Sequence, residues 1–298
     1  MIITRQSLGD LTTGFKASFQ RGFAGVQPMS GRIATTVPSA TAAEKYAWLG
    51  AWPKMREWVG ERVYRNLSQH GYAIPNKEFE TTVVVPRPAV EDDQYGVYSP
   101  MMEEMGRAAA AHPDELVFAL LKAGFTTPCY DGQYFFDSDH PVRNPDTGAD
   151  TSVSNVQSGS GNPWFLLDTS RALKPLIFQE RKKPEFVTKD SPQDENVFKR
   201  NEFVYGVYAR HAVGFGFWQM AFGSKAALDE TNFDAAYDAM SAFKSDEGQP
   251  LGIKPTLLVV GPSNRKKAQE IVVVSRKANG ADNPNQGIVE VLIVPWLD

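Results

Sequence analysis

The stretch "SPMMEEMGRAAAAHPDELVFALLKAGF", beginning at Ser99, constrains this chain more than any other. Leu116, Val117, Leu120 and Leu121 recur at helical spacing, and Ser99 stands where a helix cap is wanted. Pro100 suits the first helical position and Gly124 the exit. A helix from Pro100 to Ala123 runs roughly 36 Å at 1.5 Å per residue, long enough to be the backbone of a flat domain. Pro113 is expected to kink or divide it.

What precedes this helix looks unable to stand alone. Up to about residue 45 the chain mixes Gly, Ser, Thr, Ala and Gln, with one weak apolar spacing (Leu11, Phe15, Phe19, Phe23) that gives a short amphipathic helix at best. The segment reads as an arm. In "WLGAWPKMREWVGER", Trp48, Trp52, Met55, Trp58 and Val59 form one stripe, interrupted by Pro53. Three tryptophans on a stripe need a large partner surface, either the chain's own core or a neighbouring subunit. Residues 60–95 alternate polar and apolar from Phe79 to Val85, between Pro-bounded turns, which suggests a long charged hairpin. A lone hairpin is unstable, so it must lie on its own body or on another molecule. The apolar and charged surface of residues 1–95 is expected to exceed what one molecule covers.

Beyond the helix, residues 126–163 are loop-rich and end in "SVSNVQSGSGNP", which reads as a mobile connector that would tolerate insertions. Aromatic and β-branched runs then predict strands in "WFLLDTSRALKPLIFQERKKPEFV" and "EFVYGVYARHAVGFGFWQMAF". An amphipathic helix (Phe233, Ala236, Tyr237, Met240, Phe243), the strand "TLLVV", the helix "NRKKAQEIVVVSR" and the strand "IVEVLIVPW" complete the chain. The class is α+β, without a βαβαβ series.

Composition narrows the function. Thirty-one basic against thirty-five acidic residues leave a net charge of −4, which gives no electrostatic footprint for sequence-specific nucleic-acid binding. The single cysteine, Cys129, excludes an internal disulfide and leaves a reactive thiol or a half-buried structural one. The start lacks the layout of a signal peptide, and no apolar run approaches the roughly 20 residues of a membrane-crossing helix, so a soluble chain without membrane contact is expected.

Chemistry concentrates in "YDGQYFFDSDHPV", with Asp131, Asp137, Asp139 and His140 close together. A calcium loop is excluded because only Asp137 and Asp139 keep the alternation and Pro141 follows. A zinc site would want a second His or Cys a few residues on, yet the other histidines are isolated at 70, 112 and 211. A hydrolase centred on His140 with Asp137 or Asp139 lacks a nucleophile signature, since "SGSGN" is not the G-x-S-x-G elbow. The remaining reading is structural: aspartates bonding turn amides, and Tyr134, Phe135 and Phe136 anchoring the loop. "GFGFWQM" (Gly214, Gly216) lacks the third glycine of a dinucleotide loop and reads as packing. The runs Arg181–Lys183 and Arg265–Lys267 read as solvated faces, and Glu91, Asp92 and Asp93 as a turn cap or an interface ion-pair partner. No catalytic residue, metal ligand or cofactor is expected.

Taken in order, "WLGAWPKMREWVGER", "IPNKEFETTVVVPRPAVEDDQYGVY", "DELVFALLKAGF", "YDGQYFFDSDHPV" and "DTSRALKPLIFQERKKPEFV" resemble the major head (capsid) subunit of Mu-like phages and prophages, the protein T family. The resemblance covers nearly the whole chain and is weakest in the first forty residues and after Ser275. It implies the tailed-phage (HK97-type) capsid fold. On that implication, residues 1–50 are an N-terminal arm, 51–98 an entry segment with an extended loop at about 60–95, and 99–125 the spine helix of a peripheral domain. Residues 126–284 are then mainly the axial domain, and 285–298 a strand returning to the peripheral domain.

The function implied is self-assembly into hexamers and pentamers of an icosahedral virion shell around double-stranded DNA, built in the host bacterial cytoplasm. Scaffold, prohead protease and portal proteins are the further partners implied. An encapsulin-like compartment is the alternative within the same fold, and a hydrolase centred on His140 is the lesser alternative outside it. Residues expected at the assembly interface are Trp48, Trp52, Trp58, Arg62, Lys77, Glu78, Phe79, Glu80, Arg87, Glu91, Asp92 and Asp93.

Overall fold

The computed structural model describes residues 2–46, 49, 71–92, 94–144, 147–245, 250–277 and 279–298. Helix α1 (Arg5–Ala24), strands β1 (Ala34–Pro38), β2 (Ala43–Lys45), β3 (Ala73–Pro75) and β4 (Lys77–Pro86), and helix α2 (Arg87–Glu91) lead to the long helix α3 (Ser99–Ala123). Next come the hairpin of β5 (His140–Arg143) and β6 (Asp150–Val153), then β7 (Val156–Gln157), β8 (Trp164–Leu167), β9 (Leu176–Lys189), α4 (Glu195–Arg200) and β10 (Glu202–Phe215). β11 (Ala221–Ser224), α5 (Glu230–Ser241), β12 (Leu257–Val260), α6 (Arg265–Val272) and β13 (Glu290–Ile293) follow. The class is α+β, with one sheet in the order β1-β9-β10-β4 and a second in the order β13-β12-β8-β11-β7.

Helix α3 has the predicted bounds but not all the predicted devices. It is one helix of 25 residues that passes through Pro113 undivided. Ser99 is already helical, and the cap position falls to Tyr98, which makes no side-chain cap bond. Gly124 serves by its size: a Cβ there would stand 2.8 Å from the Phe136 ring. Asp114, buried in the helix, accepts the backbone N–H of Met29 at 2.9 Å and of Ser30 at 2.7 Å, which ties the chain leaving α1 to the helix.

The N-terminal helix is longer than the short amphipathic one expected. α1 runs for 20 residues, started by the Thr4 side chain on the Ser7 amide. It lies against α3 because two glycines let the backbones touch. A Cβ at Gly22 would sit 1.8 Å from the Glu103 carbonyl oxygen, and one at Gly106 would sit 2.1 Å from that of Phe19. Leu8, Leu11, Phe15 and Phe19 are buried with Met102, Met105, Val85, Phe203 and Tyr205 in a small core between these helices and the first sheet. Two fully buried phenylalanines contribute about 2–3 kcal/mol each in removed apolar surface. The apolar stripe of α1 is therefore covered by its own molecule.

Of the hairpin expected within 60–95, residues 60–70 and 93 lie outside the described residues, and the described part finds its partners elsewhere. β4 pairs antiparallel with β10 over Lys77–Pro86 and Glu202–His211, far away in sequence. A short ladder does join β2 to β3, Ala43–Lys45 against Ala73–Pro75. The root of that ladder is clamped to the first sheet through buried Gln179, whose side-chain amide donates to the Ile74 carbonyl and Asn76 Oδ1, while its Oε1 accepts the Tyr46 hydroxyl. Glu44 fixes the adjoining turn: amides of Ala40 and Thr41, then hydroxyls of Ser39 and Thr41, hold its carboxyl down at about 2.

The larger core gathers the C-terminal half of α3 (Val117, Phe118, Leu121), the second sheet, α5 and α6. Strands β8, β10, β12 and β13 stand where the aromatic and β-branched runs predict them. Residues 154–161 are not a loose connector. Asn155 is fully buried, β7 pairs in parallel with β11, and a Cβ at Gly159 would stand 2.1 Å from the Lys225 carbonyl oxygen. No helix among the described residues is long and apolar enough to cross a membrane.

Candidate functional site

"YDGQYFFDSDHPV" forms a closed polar knot under the second sheet. His140, first residue of β5, is fully buried and lies flat on Trp218, ring centroids 4.0 Å apart and planes at 8°. Its Nδ1 meets Asp131 Oδ2 at 2.7 Å and its Nε2 meets Asn155 Oδ1 at 3.2 Å. Asn155 in turn donates to the carbonyls of Phe135, Ala221 and Trp218. Asp131 Oδ1 accepts the Cys129 thiol and the Gln133 amide, each at 3.1 Å. Burial works to raise the Asp131 carboxyl, but the bonds from His140 and Cys129 carry it below its ordinary value. Burial, with the Asp131 charge beside it, pushes the Cys129 thiol far up, which keeps it protonated and unreactive.

Asp137 accepts the amides of Tyr134 and Ser138, as turn aspartates do. Asp139 is exposed, and its carboxyl is raised by a hydrogen bond with Asp137. A trio of candidate metal ligands does converge, Cys129, Asp131 and His140, within 4.8 Å of one another. Sequence spacing, which gave no metal site, grouped Asp131 and His140 with Asp137 and Asp139 and left Cys129 out of the cluster. The observed bonds spend these side chains on one another and on the backbone, so the knot holds the chain leaving α3 in place.

The expected interface residues divide into two groups. Trp48, Trp52, Trp58, Arg62 and Asp93 lie outside the described residues. Lys77, Glu78, Phe79 and Glu80 open β4, the outer strand of the first sheet among the described residues. Lys77, Glu78 and Glu80 are exposed there, and Phe79 is half-buried. Glu78 accepts the Tyr208 hydroxyl at 3.1 Å and stands 3.5 Å from Arg210 Nε. Arg87 and Glu91 pair along α2 at 2.9 Å, and Asp92 is exposed at its C-terminal end. Both basic runs sit beside carboxylates: Lys182 with Glu185, and Lys266 and Lys267 with Glu270.

Two features have no signal in the sequence. Phe198, on α4 at the far end of the β9–β10 hairpin, is 88% exposed between buried Val197 and Lys199. His112 of α3 and His211 of β10 come together around Phe79, whose ring is 4.5 Å from each.

The chain is similar over residues 8–297 to the family model described as the Mu-like prophage major head subunit gpT. It is 44% identical to the major capsid protein of Escherichia phage Mu, over the full length of both chains. Among solved structures, it superposes with a TM-score of 0.87 on a subunit of the procapsid of bacteriophage JBD30, at 53% identity over 99% of this chain and 100% of that one. With the subunit of the bacteriophage JBD30 capsid the TM-score is 0.79, at 41% identity over the whole of both chains.

Proposed function

The chain belongs to the family of Mu-like prophage major head subunits, and from that footing we propose how its copies meet. It is a major capsid protein with the tailed-phage capsid fold, a subunit whose self-association builds a phage head shell. The proposal is that hexamers and pentamers join through the exposed edge of β4 (Lys77, Glu78, Phe79, Glu80), the α2 corner (Arg87, Glu91, Asp92, Asp93) and the stretch holding Trp48, Trp52, Trp58 and Arg62. Phe198 is a further contact.

One observation carries this reading. β4 is an outer strand, paired with β10 on one side and with no described strand on the other, and it carries exposed charges of both signs. Such an edge is a ready template for another chain, and a protein that must stay monomeric covers it. Many modest contacts of this kind add up when each subunit is held by several neighbours.

In the same reading, α3 is the spine of the peripheral domain, α1 belongs to the N-terminal arm, and the extended loop lies at about 60–95. The shell surrounds double-stranded DNA without gripping it, as a net charge of −4 suits. It is built in the host cytoplasm with scaffold, prohead protease and portal proteins, and its own work involves no catalytic step. The test is a charge reversal on the edge, Lys77→Glu with Glu78→Lys and Glu80→Lys. The expected product is folded subunits that no longer close into particles, whereas shells at the parental yield would remove β4 from the interface.

A further inference from the structure

Helix α3 and the first sheet meet at a cavity of about 170 Å³ whose walls include Phe79, Ala108, Ala109, His112, Pro184 and His211. Most of that wall is apolar, yet two imidazoles line it. Nε2 of His112 and Nε2 of His211 are both buried, and neither has a hydrogen-bond partner among the described residues. His211 as a whole is 2% exposed. Buried nitrogens are normally satisfied, so two orphans lining one cavity point to a missing partner that serves both.

The geometry identifies what class of partner that is. The two rings stand with centroids 5.2 Å apart and planes at 58°. Imidazoles that share one tetrahedral ion, each through a nitrogen about 2.0 Å away, have centroids roughly 5 Å apart. Glu115 Oε2 lies 3.4 Å from His112 Nδ1. A carboxylate beside that nitrogen favours the tautomer that leaves the Nε2 lone pair free, the usual support behind a ligating histidine. Phe79 stacks on His211 and meets His112 edge to face, which restricts both rings.

We propose that His112 and His211 form a binding site for one divalent transition-metal ion of the class that favours imidazole, zinc, cobalt or nickel, with water completing the shell. The bound ion ties the spine helix α3 to strand β10. The inference stands on these contacts alone and does not depend on the assembly reading. The trio of Cys129, Asp131 and His140 is the weaker candidate, because its ligand atoms already bond one another.

Zinc titrated into the purified full-length chain, followed by calorimetry and thermal unfolding, tests the site. One ion per chain and a raised Tm are expected, with binding at least about tenfold weaker in His112→Gln and in His211→Gln and unchanged in Cys129→Ser. His112, with 27% of its side chain exposed, tolerates replacement even if His211→Gln misfolds. Cobalt supplies a second readout, a tetrahedral visible absorption present in the parent and lost in His112→Gln. No binding at millimolar zinc, binding that survives His112→Gln, or binding lost in Cys129→Ser would each overturn the proposal.

Discussion

His140 and Trp218 lie face to face, 4.0 Å between ring centroids, and the same imidazole holds Asp131 at 2.7 Å. Replacing His140 with alanine removes the stack and leaves a buried carboxylate without its main partner. A loss of about 3 kcal/mol in unfolding free energy is expected, read from the denaturant midpoint. His140→Phe keeps the stacking surface but not the bonds to Asp131 and Asn155, so it should recover only part of that loss. Either variant matching the parent in stability would show that the knot is not what holds this segment.

The contact of α1 with α3 depends on the absence of two side chains. Gly22→Ala and Gly106→Ala each place a Cβ about 2 Å from a backbone oxygen, where no rotamer offers relief. The helices must then separate and expose part of Phe15 and Phe19. Each substitution should destabilise by 2 kcal/mol or more, about the scale of overpacking in a core, and should make residues 5–24 newly open to limited proteolysis. The double variant should fall short of the sum, since one separation serves both.

Acid should loosen the joint between α3 and the first sheet. Burial, then His112, depresses His211 to about 4, below the 6.5 of a free histidine. The unfolded chain therefore takes up a proton at a higher pH than the folded one, so stability is full above about 6.5 and declines as pH falls toward 4. This single group accounts for on the order of 3 kcal/mol across that window. The charged groups around it are His112 and Glu115 from α3, and Lys77 and Glu180, its register partners on β4 and β9. Unfolding curves of the parent and His211→Gln between pH 7 and pH 4 check the point, and the variant should show a shallower pH dependence.

Much of the fold is legible from local pattern because local physics decides it. α3 carries a helical stripe bounded by Pro100 and Gly124, and β8, β10 and β12 are runs of residues that suit only buried strands. The stripe of α1 is legible but its full length is not, because Gly9, Gly14, Gly22 and its threonines are poor helix formers. Its stability comes from docking on α3, and that uses one of the glycines that weaken it alone, Gly22. The partner of β4 was unreadable for a different reason: its alternation fixes which residues share a face but not which distant strand supplies the hydrogen bonds. The same distance in sequence hid the meeting of His112 with His211 and of Cys129 with Asp131 and His140. The charge on β4 is visible in the sequence, whereas Phe198 becomes notable only because its hairpin leaves it in solvent.

The central claim is that this chain is built to be covered by copies of itself. Electron microscopy with sedimentation velocity on the purified full-length chain, across concentration and ionic strength, tests it most directly. Closed particles of icosahedral symmetry, with the edge of β4 buried between subunits, are the predicted result. A subunit that stays monomeric throughout, or particles in which that edge faces solvent, would contradict the account.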